Sequence, residues 1–156
     1  MQDERHFTYS GSGFADPQLA VIEYRPELFA QALELESECF AALREQNGIT
    51  PYRIADSEPG ELDRIARFFE LHKSTYLFTY DGANLAATIM FLGNRIQSLC
   101  VAPRYRRRGY GTRLTKLAVN TILGSGCQSV ELDVLPGNTA AERLCRRLGF
   151  RETAGT

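Results

Sequence analysis

Apolar residues along this chain change their spacing several times, and each change marks an element. After Arg25-Pro26, which suits the start of a helix, Leu28, Phe29, Ala32, Leu33, Leu35, Phe40 and Leu43 recur at helical spacing until Asn47-Gly48 stops them. A second helix begins at Pro59, with Leu62, Ile65, Ala66, Phe68, Phe69 and Leu71 on its inner face. Three strands then follow as a meander, Ser74 to Tyr80, Leu85 to Leu92 and Arg95 to Val101, joined by the hairpin pairs Asp81-Gly82 and Gly93-Asn94. Helical spacing returns from Tyr110 to Leu123 and breaks at Gly124-Ser125-Gly126. Ser129 to Leu135 reads as a strand, Asn138 to Arg147 as a helix and Phe150 to Thr153 as a short last strand. With Leu19 to Tyr24 as a first strand, the order is β-α-α-β-β-β-α-β-α-β. It predicts an α/β fold of α+β mixed character: a central mixed, mostly antiparallel sheet flanked by helices on both faces.

A chain of 156 residues holds one core. Residues 1–18, with Ser10-Gly11-Ser12-Gly13, read as a flexible leader, and residues 19–156 as a single domain. No run of 18 apolar residues is present and no apolar segment follows the N-terminus, so the expected location is the cytoplasm, with no membrane partner. The cysteines Cys39, Cys100, Cys127 and Cys145 are scattered, and His6 and His72 are the only histidines, so reduced thiols and no metal are expected. The net charge of −1 hides a division: residues 1–99 carry 8 Lys/Arg against 15 Asp/Glu, whereas residues 100–156 carry 10 against 4. The basic part suits a phosphorylated ligand. The acidic part suits a cationic acceptor such as an amine, or is solvated surface.

The basic part is centred on Arg106-Arg107-Arg108-Gly109-Tyr110-Gly111, between the strand ending at Val101 and the helix from Tyr110. In such a turn, glycines let the backbone approach a ligand, and the first N–H groups of the helix lack intrahelical partners. Thr112-Arg113 after Gly111 rules out a P-loop, and Leu114 occupies the place of the third small residue of a Rossmann turn.

Leu99, Val101, Pro103, Arg106, Gly109 and Gly111 fall in a register that resembles the diphosphate-binding turn of the GNAT superfamily, the acyl-CoA-dependent N-acyltransferases. A second block agrees with it: Val130-Glu131-Leu132-Asp133-Val134, then Asn138, Ala141, Leu144 and Leu148-Gly149-Phe150. The resemblance implies acetyl-CoA as co-substrate and a primary amine, of a small molecule or a protein N-terminus, as acceptor. It further implies that the diphosphate lies on Arg106, Arg107, Arg108, Gly109, Tyr110, Gly111 and Thr112. The pantetheine arm and the oxyanion then meet backbone near Leu99, Cys100 and Val101, where a bulge splays this strand from the next. Acceptor contacts are expected on the polar loop with Thr50, Tyr52, Arg53 and Asp56.

Two roles stay open for Asp133, at the position of a Glu in related N-terminal acetyltransferases: general base, or a strand residue that orients a cationic acceptor. Asn138 is a helix cap, a pantetheine contact, or both. Cys145 stands where many members place a Tyr that protonates the departing thiolate, and is read either as that acid or as packing. A non-catalytic acyl-CoA-binding module is the competing reading. An RNA surface is weakened by the two aromatics, Tyr105 and Tyr110, among these arginines and by the net negative charge. Little chain remains after Phe150 to finish the sheet. Three completions stay open: the leader, a second copy of the chain in a homodimer, or an unpaired edge.

Overall fold

Alternation along the meander sorts its side chains onto two faces, and each face recruits its own helices. The computed structural model describes residues 4–154. Its strands are β1 (Arg5–Tyr9), β2 (Ile22–Glu23), β3 (Tyr76–Asp81), β4 (Asn84–Leu92), β5 (Arg95–Val101), β6 (Val130–Val134) and β7 (Arg151–Thr153). Its helices are α1 (Phe29–Gln46), α2 (Pro59–Leu71), α3 (Tyr110–Gly124) and α4 (Thr139–Leu148). Tyr76, Phe78 and Met90 pack with Tyr24, Leu28, Ala32 and Phe69 beneath α1 and α2. Leu77, Ala87, Ile89, Phe91 and Ile96 pack with Leu114, Ala118, Val119, Ile122 and Cys145 beneath α3 and α4. The mixed sheet with helices on both faces is the one that the spacing predicts.

The sheet runs β2-β3-β4-β5-β6-β1-β7, antiparallel throughout except for β5 beside β6. The leader reading requires correction here. Residues 1–3 lie outside the described residues, but Arg5–Tyr9 form an inner strand between β6 and β7, with Phe7 opposite Leu132 and Glu152. Phe7 is fully buried and Tyr9 nearly so. The segment after β1 is also fastened: Phe14 exchanges backbone hydrogen bonds with the Asn120 side chain at 2.7 and 3.0 Å, and its ring packs 5.2 Å from Tyr9. The two inward positions of β1 are flanked by polar residues and followed at once by Ser10-Gly11, so the local pattern looks unstructured. Its pairing partners lie more than a hundred residues away.

Of the completions open for the sheet, the leader supplies one, β1 inserted between β6 and β7, and β7 stands at the sheet's edge. Arg5 secures it at the surface through a two-pronged contact to Glu152, at 2.8 and 2.6 Å, and an ion pair with Glu142; Arg146 joins Glu152 at 2.9 Å. The Leu19 to Tyr24 strand shrinks to Ile22–Glu23, which pair with β3, and Tyr24 N–H adds one bond to Tyr76 O at 2.9 Å; Ala20 is held instead through its carbonyl by the Thr79 hydroxyl at 3.0 Å. Among the described residues no helix is long and apolar enough to cross a membrane.

A β1 that belongs to the core makes Phe7→Ala expensive, about 3–5 kcal/mol as for other buried Phe truncations. Urea unfolding followed by circular dichroism measures it. A loss under about 1 kcal/mol, typical of an exposed site, would return β1 to the status of a leader.

Candidate functional site

Partner strands normally stay paired along their length, but β5 and β6 do not. Their pairing covers Arg95 with Glu131 and Ile96 with Leu132 and then ends. On the other side β5 stays with β4 as far as Val101, with an irregularity after Met90 that leaves Gln97 as the extra residue. Such a bulge adds twist and bends the strand that carries it, and here the bend leads β5 away from β6. Because Ala102 N–H bonds Ala86 O at 2.8 Å, alternation turns the backbone groups of Val101 and Leu99 away from β4 and toward the widening gap. The Val101 carbonyl there accepts from Cys39 Sγ at 3.3 Å and Arg106 Nε at 3.4 Å.

The chain then turns through Pro103–Tyr105 and enters α3 beside the same gap. Gly109, at φ +83°, is the N-cap, and no side chain caps the helix. Arg107 takes a left-handed φ of +64°, uncommon for a side-chain-bearing residue. Arg113 is the first residue of α3 whose N–H meets a carbonyl, Gly109 O at 3.0 Å, so the amides of Tyr110, Gly111 and Thr112 point out of the helix end. Gly111 faces the side chains of Leu99, Val101 and Leu144, which would lie 3.6 to 3.8 Å from an added Cβ. Arg104 and Arg108 lie 5.2 and 5.3 Å over the buried ring of Tyr105, and Arg113 lies 5.0 Å over Tyr110. Aromatic stacking holds these guanidiniums next to the open amides. Arg106, Arg107 and Arg108 are exposed.

The sequence reading passes over Arg147. Its guanidinium comes from α4 to Thr112 Oγ1 at 3.3 Å, adding a cation to the helix start. Nothing local to Arg147 signals this, because the contact depends on how α3 and α4 pack.

At the root of the gap, charges cross three strands. His6 of β1 sits opposite Asp133 and touches both outward carboxylates of β6, with Nδ1 at 2.5 Å from Asp133 and Nε2 at 2.6 Å from Glu131. The remaining oxygen of Asp133 accepts from Arg95 of β5 at 2.6 Å. The bond to Asp133 is the main cause that holds the His6 pKa above its ordinary value; burial opposes it and the Glu131 bond adds to it. Burial works to raise the Glu131 pKa, but bonds from His6, Thr8 and Ser129 outweigh it and leave a lowered value. Both oxygens of Asp133 are thus engaged, and its predicted neighbourhood on the gap side is an ion-pair network.

The other candidates fall as follows. Asn138 Oδ1 accepts from Ala141 N at 3.2 Å, so the capping role is present. Cys145 is buried in the core beneath α4, and burial pushes its thiol up to about 12. Cys100 is fully enclosed on the α1 side of β5, with its pKa raised by the neighbouring Cys39 and by burial. Between α1 and α2, Arg53 forks onto Glu34 at 2.9 and 3.0 Å, while Tyr52 is exposed. Among the described residues, no group of three or more His, Cys, Asp or Glu is placed to hold a metal ion.

Comparison with known proteins adds four findings. Residues 29–150 match the model of the Acetyltransferase (GNAT) family. N-alpha-acetyltransferase 30 of Xenopus laevis is 38% identical over 61 residues, 39% of this chain and 22% of the relative. GCN5-related N-acetyltransferase 6, chloroplastic, of Arabidopsis thaliana is 27% identical over 117 residues, 72% of this chain and 40% of the relative. The matches therefore span well under half the length of these curated relatives. The solved structure of yncA from Salmonella typhimurium, with its cofactor acetyl-CoA, superposes with a TM-score of 0.66 at 18% identity, covering 88% of this chain and 82% of that one. At that identity the likeness is one of fold.

The His6 clasp carries a pH signature. A histidine whose folded pKa is raised contributes stability that is complete below its ordinary value of about 6.5 and disappears as pH climbs through the raised value. Glu131, with its lowered pKa, contributes above the ordinary carboxylate range and ceases to do so as pH falls through its folded value. The urea midpoint of wild type minus that of His6→Gln is accordingly greatest between these limits and shrinks on the alkaline side. A difference that stays constant from about pH 6 to 9 would show that the imidazole is not clasped as a cation.

Proposed function

Because this chain belongs to the GNAT family of acetyltransferases, we propose that it transfers an acetyl group from acetyl-CoA to a primary amine in a ternary complex. The observation that carries the reading is the splayed edge of β5 lying against the uncapped start of α3. In this proposal the pantetheine arm pairs with Leu99, Cys100 and Val101 as a strand would, and one of the free N–H groups donates to the oxyanion. The diphosphate lies on the amides of Tyr110, Gly111 and Thr112, with Arg106, Arg107, Arg108 and Arg147 supplying charge. Gly109 gives the turn its left-handed corner, and Asn138 completes the far wall.

The acceptor is proposed to be a cationic amine, of a small molecule or a protein N-terminus. Support comes from the acidic excess of residues 1–99 and from the name of the relatives, which act as N-alpha-acetyltransferases. Asp133, held by His6 and Arg95, takes the orienting role rather than that of a free base. Cys145 serves packing, since a thiol pushed up to about 12 is a weaker acid than the leaving thiol needs. The thiolate then departs with help from the helix end and solvent.

Calorimetry with acetyl-CoA, followed by thiol release in the presence of varied amines, tests the proposal. Binding together with amine-dependent release is the expected result, and binding with no release from any amine would leave an acyl-CoA-binding module. Gly109→Val forces a left-handed φ on a branched residue at about 1–3 kcal/mol, so acetyl-CoA affinity should fall roughly tenfold to a hundredfold. Unchanged affinity in that variant would move the cofactor away from the α3 corner. Asp133→Ala should lower turnover more than affinity, and wild-type turnover would remove Asp133 from the site.

A further inference from the structure

On the opposite side of β5 from α3, α1 lays a carboxyl against a polar spot of the sheet. Ala32, Glu36, Cys39 and Phe40 lie along one stripe of α1, and Ala32 is fully buried. Glu36 retains partial exposure as a residue, yet its Oε2 is shut off from solvent with no hydrogen-bond partner. Two hydroxyls neighbour it from the sheet, that of Tyr76 in β3 and that of Thr88 in β4, on residues that are completely buried. The Thr88 hydroxyl lies within reach of both the Tyr76 hydroxyl and the Cys100 thiol, and it works against the rise in pKa of each, caused by burial at Tyr76 and by Cys39 and burial at Cys100. Unpaired buried polar atoms cost about 1–3 kcal/mol apiece. The Glu36 oxygen, left without a donor above these groups, marks a place for a donor brought by a ligand.

This polar spot adjoins the acyl-transfer edge. Thr88 stands directly opposite Cys100, the residue between Leu99 and Val101. Cys39, one turn along α1 from Glu36, donates its thiol to the Val101 carbonyl at 3.3 Å. The Glu36 carboxyl is therefore one helical turn from the backbone that turns into the gap. Asp133, in contrast, has no free oxygen.

Resting on the acetyl-transfer reading above, we propose that Glu36 is the carboxylate that binds the acceptor amine and removes its proton, with the Tyr76 and Thr88 hydroxyls completing the polar wall. In the first step R–NH3⁺ and the Glu36 carboxylate become R–NH2 and the neutral acid. The amine lone pair then forms the C–N bond to the acetyl carbon and the C–S bond breaks. The second N–H proton passes to the departing thiolate, giving the amide and CoA thiol, and Glu36 returns its proton to solvent. Burial, with a smaller contribution from Cys39, lifts this carboxyl to about 7, where both protonation states are populated at neutral pH. The titratable groups facing it are Cys39 on its own helix, Cys100 of β5 and Tyr76 of β3, with Arg106 of the turn reaching it only by way of Cys39.

The test uses the whole chain with CoA bound and glycinamide as the amine. Carbon-13 NMR of labelled Glu carboxyls should reveal one group titrating near 7, absent from Glu36→Gln and shifted when glycinamide is added. A spectrum with every carboxyl in the ordinary acidic range, or no shift with the amine, overturns the proposal. In the acetylation assay Glu36→Gln should bind acetyl-CoA as wild type does and lose about a hundredfold or more in kcat, the usual range for a general base. An aromatic amine, uncharged at neutral pH, should recover part of that loss; equal rates for Glu36→Gln and wild type contradict the assignment. If Glu36→Gln fails to bind acetyl-CoA, Glu36→Asp, which keeps the charge on a shorter arm, takes its place and should still lose at least about tenfold. A wild-type chain that binds acetyl-CoA but acetylates no amine refutes the acetyl-transfer reading, and the carboxyl titration with glycinamide then decides the role of Glu36 by itself.

Discussion

Two neighbouring strands that part after two paired positions impose a cost on the sheet that the surrounding structure has to absorb. The bulge at Gln97 bends β5 toward β4 and out of reach of β6. Full pairing would consume the outward backbone groups of Leu99 and Val101, and the start of α3 would then face a closed sheet. An unmade backbone hydrogen bond costs about 1–3 kcal/mol when buried. At Val101 that cost is offset by Cys39 and Arg106, which both reach its carbonyl. The N–H groups have no such partner and remain available to a ligand.

A fork of this kind would widen along the sheet unless something held its base. Arg95 lies at the last register position but one before β5 leaves β6, and its guanidinium reaches Asp133, beyond the final pair at Leu132. Asp133 is held in turn by His6 of β1, a strand that runs beside all five residues of β6. Charges on three strands thus meet where the gap opens. Single exposed ion pairs contribute little to stability, so the consequence of this one is mainly geometric: β6 is fixed on its far side and the opening is confined to one end. The clasp depends on a strand that lies outside the residues matched by the family model.

Much of this was legible in the chain because it is local. Helices α1 and α2, the meander, α3 with its glycine turn and α4 with its Asn138 cap follow from spacing and turn chemistry among adjacent residues. The register of Leu99, Arg106, Gly109 and Gly111 likewise sits within a dozen residues. What escaped was long-range. β1 has two buried side chains and a glycine-rich sequel, and only its pairing with β6 and β7 reveals it as a strand. Arg147 joins the α3 start through helix packing. Glu36 looks like one more charge on an acidic helix, and only the hydroxyls under it distinguish it from Glu34 and Glu38.

The two carboxylates show how a position can be inherited in sequence while its chemistry is set by neighbours. A general base needs an unoccupied lone pair aimed at the proton and an affinity for protons close to the working pH. Asp133 stands where the resemblance expects a carboxylate, but a cation lies on each of its oxygens, so abstracting a proton there means first breaking an ion pair. Glu36 has the reverse environment. Burial there favours the neutral acid and lifts the carboxyl to about 7, and Oε2 has no donor to give up. An incoming ammonium would supply the missing positive charge and the missing donor together, so binding the amine and preparing it for attack become the same event.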